Sequence, residues 1–234
     1  MKKIFQNNQI SYAEKGNIKF YIRKYRNLTA IFFSISAVVF GFSWLFWIAS
    51  SIFLKGIDGF SLNIFLNSTP PPNSSGGGLA NALLGSLLLV CFSTIIGAPI
   101  GVLAGIYLSE YDKISYFSRI VKFSNDVLLS TPSIIVGLFL YIVAVVPMHC
   151  FSGISGILAL AVIQIPIVLR TTENMLHLVP NNIREAAYAL GAPQYKVVYI
   201  SLKASLSGIA TGILLSVSRV SGETAPLLFT TLSN

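Results

Sequence analysis

An all-α bundle of membrane-spanning helices is the fold this sequence predicts. Three features predict it: a scarcity of charge, five long apolar runs, and basic residues gathered into alternate loops. Of the 234 residues, 54% are apolar and only 10% charged, with a mean hydropathy of +0.74. Soluble domains carry about a quarter charged residues, so a water-soluble fold is excluded as the expectation. Apolar runs of roughly 18 or more residues are long enough to cross a bilayer. Five occur, at about Leu28–Leu54, Leu79–Leu108, Val127–Val146, Gly153–Leu169 and Ala204–Phe229. They make one transmembrane bundle over residues 28–230, preceded by a basic arm at 1–27. The first run exceeds the roughly 7 to 15 apolar residues of a secretory signal core, and no small-residue cleavage pattern follows it promptly. It is therefore expected to anchor the chain.

The net charge of +8 has a topological explanation. Lys2, Lys3, Lys15, Lys19, Arg23, Lys24 and Arg26 precede the first run; Lys113, Arg119 and Lys122 lie between the second and third; Arg170, Arg184, Lys196 and Lys203 lie between the fourth and fifth. Only Lys55 falls in an alternate loop, and Arg219 is inside a span. Fourteen against one is a positive-inside bias, which predicts a cytoplasmic N-terminus. The charge is accounted for without nucleic acid as a partner; membrane lipid is the implied surroundings.

Several residues have structural readings. Gly97, Gly101 and Gly105 repeat every four positions and offer a smooth face to another helix. Pro99 and Pro166 are expected to kink their helices. Cys91 and Cys150 fall where a disulfide is improbable, His149 stands without other ligands, and Asp126 near Lys122 reads as a solvated or helix-end charge. No metal and no cofactor are expected, and no nucleophile has a base beside it, so no enzyme activity is predicted. The segment Lys55 to Gly78, with Pro70 to Pro72 and Gly76 to Gly78, reads as an irregular outer loop. Its glycines lack the following Lys and Ser or Thr of a phosphate-binding loop. Without such a loop, any transport by this bundle would have to draw energy from a partner or an ion gradient.

The inner connection from about Thr171 to Lys203 carries the most informative segment. Asn182 with Glu185 three residues on matches a capping box, and Gly191 with Pro193 matches a left-handed stop. A short helix at Ile183–Leu190 is predicted, built around Ala186, Ala187, Tyr188 and Ala189. Two turns are unstable alone, since roughly 12 to 15 residues are needed in water. The helix must pack on something, either the membrane surface or a partner.

Glu185-Ala186-Ala187 followed by Gly191 resembles the EAA motif of ABC importer permeases, whose helix couples the membrane domain to an ATPase subunit. The stretches Ile106 to Tyr111, Thr131 to Leu138, Ile165 to Glu173 and Gly222 to Thr230 are similar to the A-type permease of the phosphate-specific importer. The resemblance implies a type I importer permease working with an ATPase, a second permease subunit and an extracytoplasmic phosphate-binding protein. It assigns ATPase coupling to Glu185, Ala186, Ala187 and Gly191. Two departures stand out: Leu202 is followed by Lys203, where many such permeases have proline, and the family usually continues into a sixth span, whereas this chain stops at Asn234. A shortened, non-conducting assembly or regulatory subunit is the alternative function, and a gradient-driven carrier a third.

A charge inside hydrocarbon costs roughly 2.5–3.5 kcal/mol on insertion scales and asks for a partner or a task. Arg219 and Glu223, four apart, share a face with Ser201, Ser205, Gly208, Gly212 and Ser216, predicted to be buried. Arginine offers a permanently charged fork to a tetrahedral anion, so Arg219 is the first candidate for the substrate path, with Glu223 and Thr224 beside it. The competing reading is that Arg219 only neutralises Glu223. Arg170, next to Thr171, Thr172 and Glu173, is either a second path cation or an interface anchor.

Overall fold

The computed structural model describes residues 2–57, 59–70, 77–111 and 115–232, with side chains from Phe20 onward. Expectations resting on Pro71 to Gly76, on Lys113 or on Asn234 lie outside these residues. The chain forms two compact units, Met1–Phe65 and Leu66–Asn234.

In the first unit, helix α1 runs from Lys2 to Ile57 without a break. The arm expected at 1–27 is thus continuous with the first span, whose apolar stretch counts from Phe20 to Ile57. Side chains 20–49 are exposed on every face, including Phe33, Phe46 and Trp47. A helix apolar all round suits lipid or a protein partner, not water. The single turn α2 (Asn63–Leu66) follows.

The second unit begins with α3 (Ala80–Ile106), which continues into a π-helical turn at Tyr107–Tyr111. Asn81 Oδ1 pins its start by accepting from the Thr69 amide at 3.0 Å and the Thr69 hydroxyl at 2.8 Å. Helix α4 (Tyr116–Ser130) opens with Ser115 accepting from the Ser118 amide. It is followed by α5 (Ser133–Leu140), a π-helical turn at Tyr141–Val145 and α6 (Val146–Met148).

Here the single span expected at Val127–Val146 is corrected: the helix breaks at Thr131 and Pro132, and the two parts are bent by 107°. Proline has no amide to donate and its ring drives the preceding residue to extended backbone; Thr131 has ψ 131°. Helix α4, at about 1.5 Å per residue, is about 22 Å long, too short for a hydrocarbon core of about 30 Å. Its sides are inverted relative to a soluble helix. Ser118 and Asn125 are buried while Tyr116, Phe117, Ile120 and Phe123 are exposed.

Helix α7 (Gly153–His177) extends the span expected to end at Leu169, because Arg170 to His177 are helix-compatible although polar. Ser152 caps it, accepting from the Ser155 amide at 3.3 Å. Both α3 and α7 carry their prolines, Pro99 and Pro166, inside unbroken helix assignments. After α8 (Asn181–Ala189), helix α9 spans Gln194–Ser221 and α10 spans Ala225–Thr230. The fifth span, expected as Ala204–Phe229, therefore starts ten residues earlier and breaks at Gly222 to Thr224. Pro226 opens α10 at a position where no intrahelical donor is needed.

Helix α7 is the centre of this unit, flanked by α3 and α9. Lipid tails are as apolar as leucine, so close backbone packing and interhelical hydrogen bonds must hold such helices together. The glycine face of α3 does this. A Cβ at Gly101 would lie 2.8 Å from Val168 Cβ and 2.9 Å from the Ile165 carbonyl oxygen, and one at Gly105 would lie 2.7 Å from Thr172 Cβ. On the other side, Gly208 and Gly212 of α9 admit Met175 and Thr171 of α7. Between the three helices the buried Gln164 amide nitrogen donates to Thr94 Oγ1 and to Ser216 Oγ, each at 3.1 Å. A core of Val136, Leu140, Ala159, Leu160, Ile163 and Val220 completes the packing.

Candidate functional site

Arg219 lies two residues before the end of α9, where the helix gives way to Gly222, Glu223 and Thr224. Two turns close that break: the Gly222 amide donates to the Arg219 carbonyl and the Glu223 amide to the Val220 carbonyl, both at 3.1 Å. The expected buried stripe holds for Ser201, Ser205, Gly212 and Ser216, but its last step is corrected. Val220 takes the buried position and the Arg219 side chain is 51% exposed, because the face that meets α7 drifts around a straight helix. Glu223, by contrast, is largely enclosed, and Thr224 is exposed at the start of α10 without a side-chain capping bond.

The Arg219 and Glu223 side chains come within 3.8 Å, beyond hydrogen-bond distance. Among the described residues the Arg219 side chain makes no hydrogen bond, so its donors are held near a carboxylate without being consumed by it. Arg219 lines a cleft with Thr131, Ser133, Val136, Ile163 and Pro166. The break before α5 and the last turn of α9 thus meet at one place. The enclosed core of this cleft is about 10 Å³, room for roughly one water. A tetrahedral oxyanion does not fit there unless the cleft opens.

Arg170 lies elsewhere in the charge pattern. Glu173, 4% exposed, takes Lys122 Nζ at 2.7 Å, Arg170 Nη1 at 3.5 Å and His177 Nε2 at 3.7 Å. One buried carboxylate thereby ties α4 to the end of α7. Glu173→Gln removes the acceptor for these groups. Breaking a fully buried pair costs about 3–5 kcal/mol; Lys122 and Arg170 are one third to one half exposed and can turn to water, so about 1–2 kcal/mol is expected. Thermal unfolding in detergent should show a lowered midpoint, and an unchanged midpoint would mean the knot contributes nothing.

Helix α8 is the other candidate site. The capping box expected from Asn182 and Glu185 does not form: Pro180 occupies the cap position, the helix already includes Asn181, and no side chain caps it. Proline's fixed φ pre-sets the first turn without a side-chain acceptor. The helix ends at Ala189, one residue before the expected Leu190, and Gly191 follows with φ +77°. That left-handed conformation favours glycine, and the Ala192 amide closes the turn onto the Ala187 carbonyl at 3.1 Å.

Of the four residues expected to face a partner, Glu185, Ala186 and Gly191 are exposed, whereas Ala187 is turned inward at 7% exposure. Tyr188 at 52% and Leu190 at 89% add an outward apolar surface that lies outside the motif. Arg184 is a further residue that the motif does not mark. Its Nε reaches both Glu110 carboxylate oxygens at 3.2 Å and its Nη2 reaches Oε1 at 2.6 Å. No local pattern announces a pair 74 residues apart; only a buried carboxylate at the end of an apolar run hints at a partner.

Comparison with known proteins shows the family and the fold. The family model described as binding-protein-dependent transport system inner membrane component matches residues 97–234. The phosphate transport system permease protein PstA of Yersinia pestis is 53% identical over 235 residues, covering 100% of this chain and 80% of that protein. The protein of the same name from Haemophilus influenzae is 54% identical over 219 residues, covering 93% of this chain and 77% of that one. Among solved structures, an inward-facing MetNI methionine ABC transporter superposes with a TM-score of 0.51 at 25% identity, over 62% of this chain and 68% of that chain.

Proposed function

We propose that this chain, which belongs to the family of binding-protein-dependent transport system inner membrane components, is a permease subunit that carries inorganic phosphate through the bacterial inner membrane. It is a multi-pass membrane protein by its apolar helices and its family. The similarity to phosphate permeases supports the substrate, and one observation supports the mechanism. Arg219 presents a half-exposed side chain, free of side-chain hydrogen bonds to the described residues, where the last turn of α9 meets the break before α5.

In this reading the single-water cleft is the closed side of a path completed by a second permease subunit. An extracytoplasmic binding protein delivers phosphate, Arg219 receives it by charge and forked donors, and Glu223 and Thr224 shape the same stretch. Arg170, engaged by Glu173, assists from one turn beyond Ile167 of the cleft wall. The N-terminus lies in the cytoplasm with the basic loops, which puts α8 on the cytoplasmic side. There an ATPase docks on Glu185, Ala186, Gly191 and the neighbouring Tyr188 and Leu190, with Ala187 supporting the helix from beneath.

The test is co-purification and transport. Ala186 is exposed, so Ala186→Arg leaves the fold intact while placing a bulky charge on the docking face. The ATPase is expected to be lost from the purified complex and phosphate uptake into proteoliposomes to fall more than about tenfold, the factor for 1.4 kcal/mol. Retention of both would remove the docking assignment.

A further inference from the structure

We infer that Glu110 and Arg184 are positioning residues that pass movement of the docking helix α8 to the paired helices α3 and α7. This rests on the importer reading above and adds to it a named mechanical link. Helix α8 has nine residues and is joined to its neighbours in the chain by short turns at Leu178–Pro180 and Leu190–Pro193. Ala187 is the one buried residue of α8, and so small a seat leaves a two-turn helix able to tilt under load.

The Arg184 guanidinium removes that slack. Besides the forked contact to Glu110, Nη1 donates to the Val179 carbonyl and Nη2 to the Leu176 carbonyl, both at 2.7 Å. The side chains of Arg184 and Glu110 are 12% and 5% exposed, so water does not compete for these bonds. The pair joins α8 directly to the end of α3, and the carbonyl contacts join it to the end of α7. A planar fork fixed at both ends and on both sides has one orientation, which a lysine could not reproduce.

The receiving end is equally stiff. Glu110 sits in the π-helical turn that ends α3, and α3 lies against α7 along Gly97, Gly101 and Gly105. A push on α8 therefore reaches the body formed by α3 and α7, whose Ile163 and Pro166 line the Arg219 cleft. The guanidinium faces the bundle, whereas the proposed ATPase contacts face outward. Weakening the link should spare docking and impair transmission.

The assembled importer, with both permeases, ATPase and binding protein in proteoliposomes, provides the measurement: phosphate taken up per ATP hydrolysed. The wild-type complex tests the function reading first; without ATPase bound or phosphate uptake, that reading fails before any variant is made. Given a working wild type, Glu110→Gln should keep the ATPase bound and hydrolysis within about twofold, while uptake per ATP falls about tenfold or more. Arg184→Lys, which keeps the charge and the fold but not the fork, should reduce the ratio about threefold. An unchanged ratio in Arg184→Lys overturns the inference, whatever the yield of Glu110→Gln. Loss of the ATPase from the Arg184→Lys complex overturns it too, since the pair would then only hold the docking surface in place.

Discussion

Replacing Gly101 by leucine is expected to abolish recovery of folded protein, the largest stability effect foreseen in this chain. The position leaves no room even for a methyl group: the nearest atoms to a Cβ there are Val168 Cβ at 2.8 Å and a backbone carbonyl oxygen at 2.9 Å. A side-chain end can rotate away, but a helix carbonyl cannot, so α3 and α7 would have to separate. Overpacking a close contact by one methylene costs about 1–3 kcal/mol, which is the expectation for Gly101→Ala. Leucine adds three more carbons at the same point. Separation would also pull the Gln164 amide from Thr94 and Ser216, leaving buried polar groups unpaired. Size-exclusion profiles in mild detergent provide the readout. Gly85→Leu on the same helix is the control, because nothing lies within 4 Å of a Cβ there. A sharp, wild-type profile for Gly101→Leu would refute the close-packed interface.

The glycine contact is legible in the amino-acid sequence because a repeat of four is local information. So is the left-handed Gly191, since a glycine followed by a proline two residues on needs no tertiary knowledge. Helix ends are harder. Hydropathy reports where a chain is apolar, whereas helix formation depends on backbone compatibility, so α7 and α9 run past or start before the apolar limits. The break at Pro132 is legible in principle from the restriction on Thr131 but is hidden by the apolar residues on both sides. The partner of Arg184 cannot be read at all, because the two residues meet only after α3 and α7 have packed. Arg219 is an intermediate case. Its place at the end of a polar stripe is readable, but a rotation of one residue decides whether it enters the bundle or leaves it.

That rotation makes Arg219 the position where substitution should hurt transport most while sparing assembly. Two charge-assisted hydrogen bonds to an oxyanion, each worth roughly 1.5–3 kcal/mol before desolvation is counted, suggest a net loss of about 3 kcal/mol in Arg219→Gln. At 1.4 kcal/mol per factor of ten, phosphate uptake should fall roughly 100-fold. Arg219→Lys keeps the charge without the fork and should lose only about tenfold. Because the side chain is half exposed and lacks hydrogen bonds to the described residues, neither variant should shift the thermal midpoint or release the ATPase. The rival role, simple neutralisation of Glu223, makes the opposite forecast for a paired change. If Arg219 serves only to balance that carboxylate, Arg219→Gln combined with Glu223→Gln removes the unpaired charge and uptake returns. If Arg219 holds the anion, the double variant stays as inactive as the single one. At 3.8 Å, without a hydrogen bond, the Glu223 contact is too weak to occupy the guanidinium, so the double variant is expected to remain inactive; recovered uptake would reassign Arg219 to charge balance.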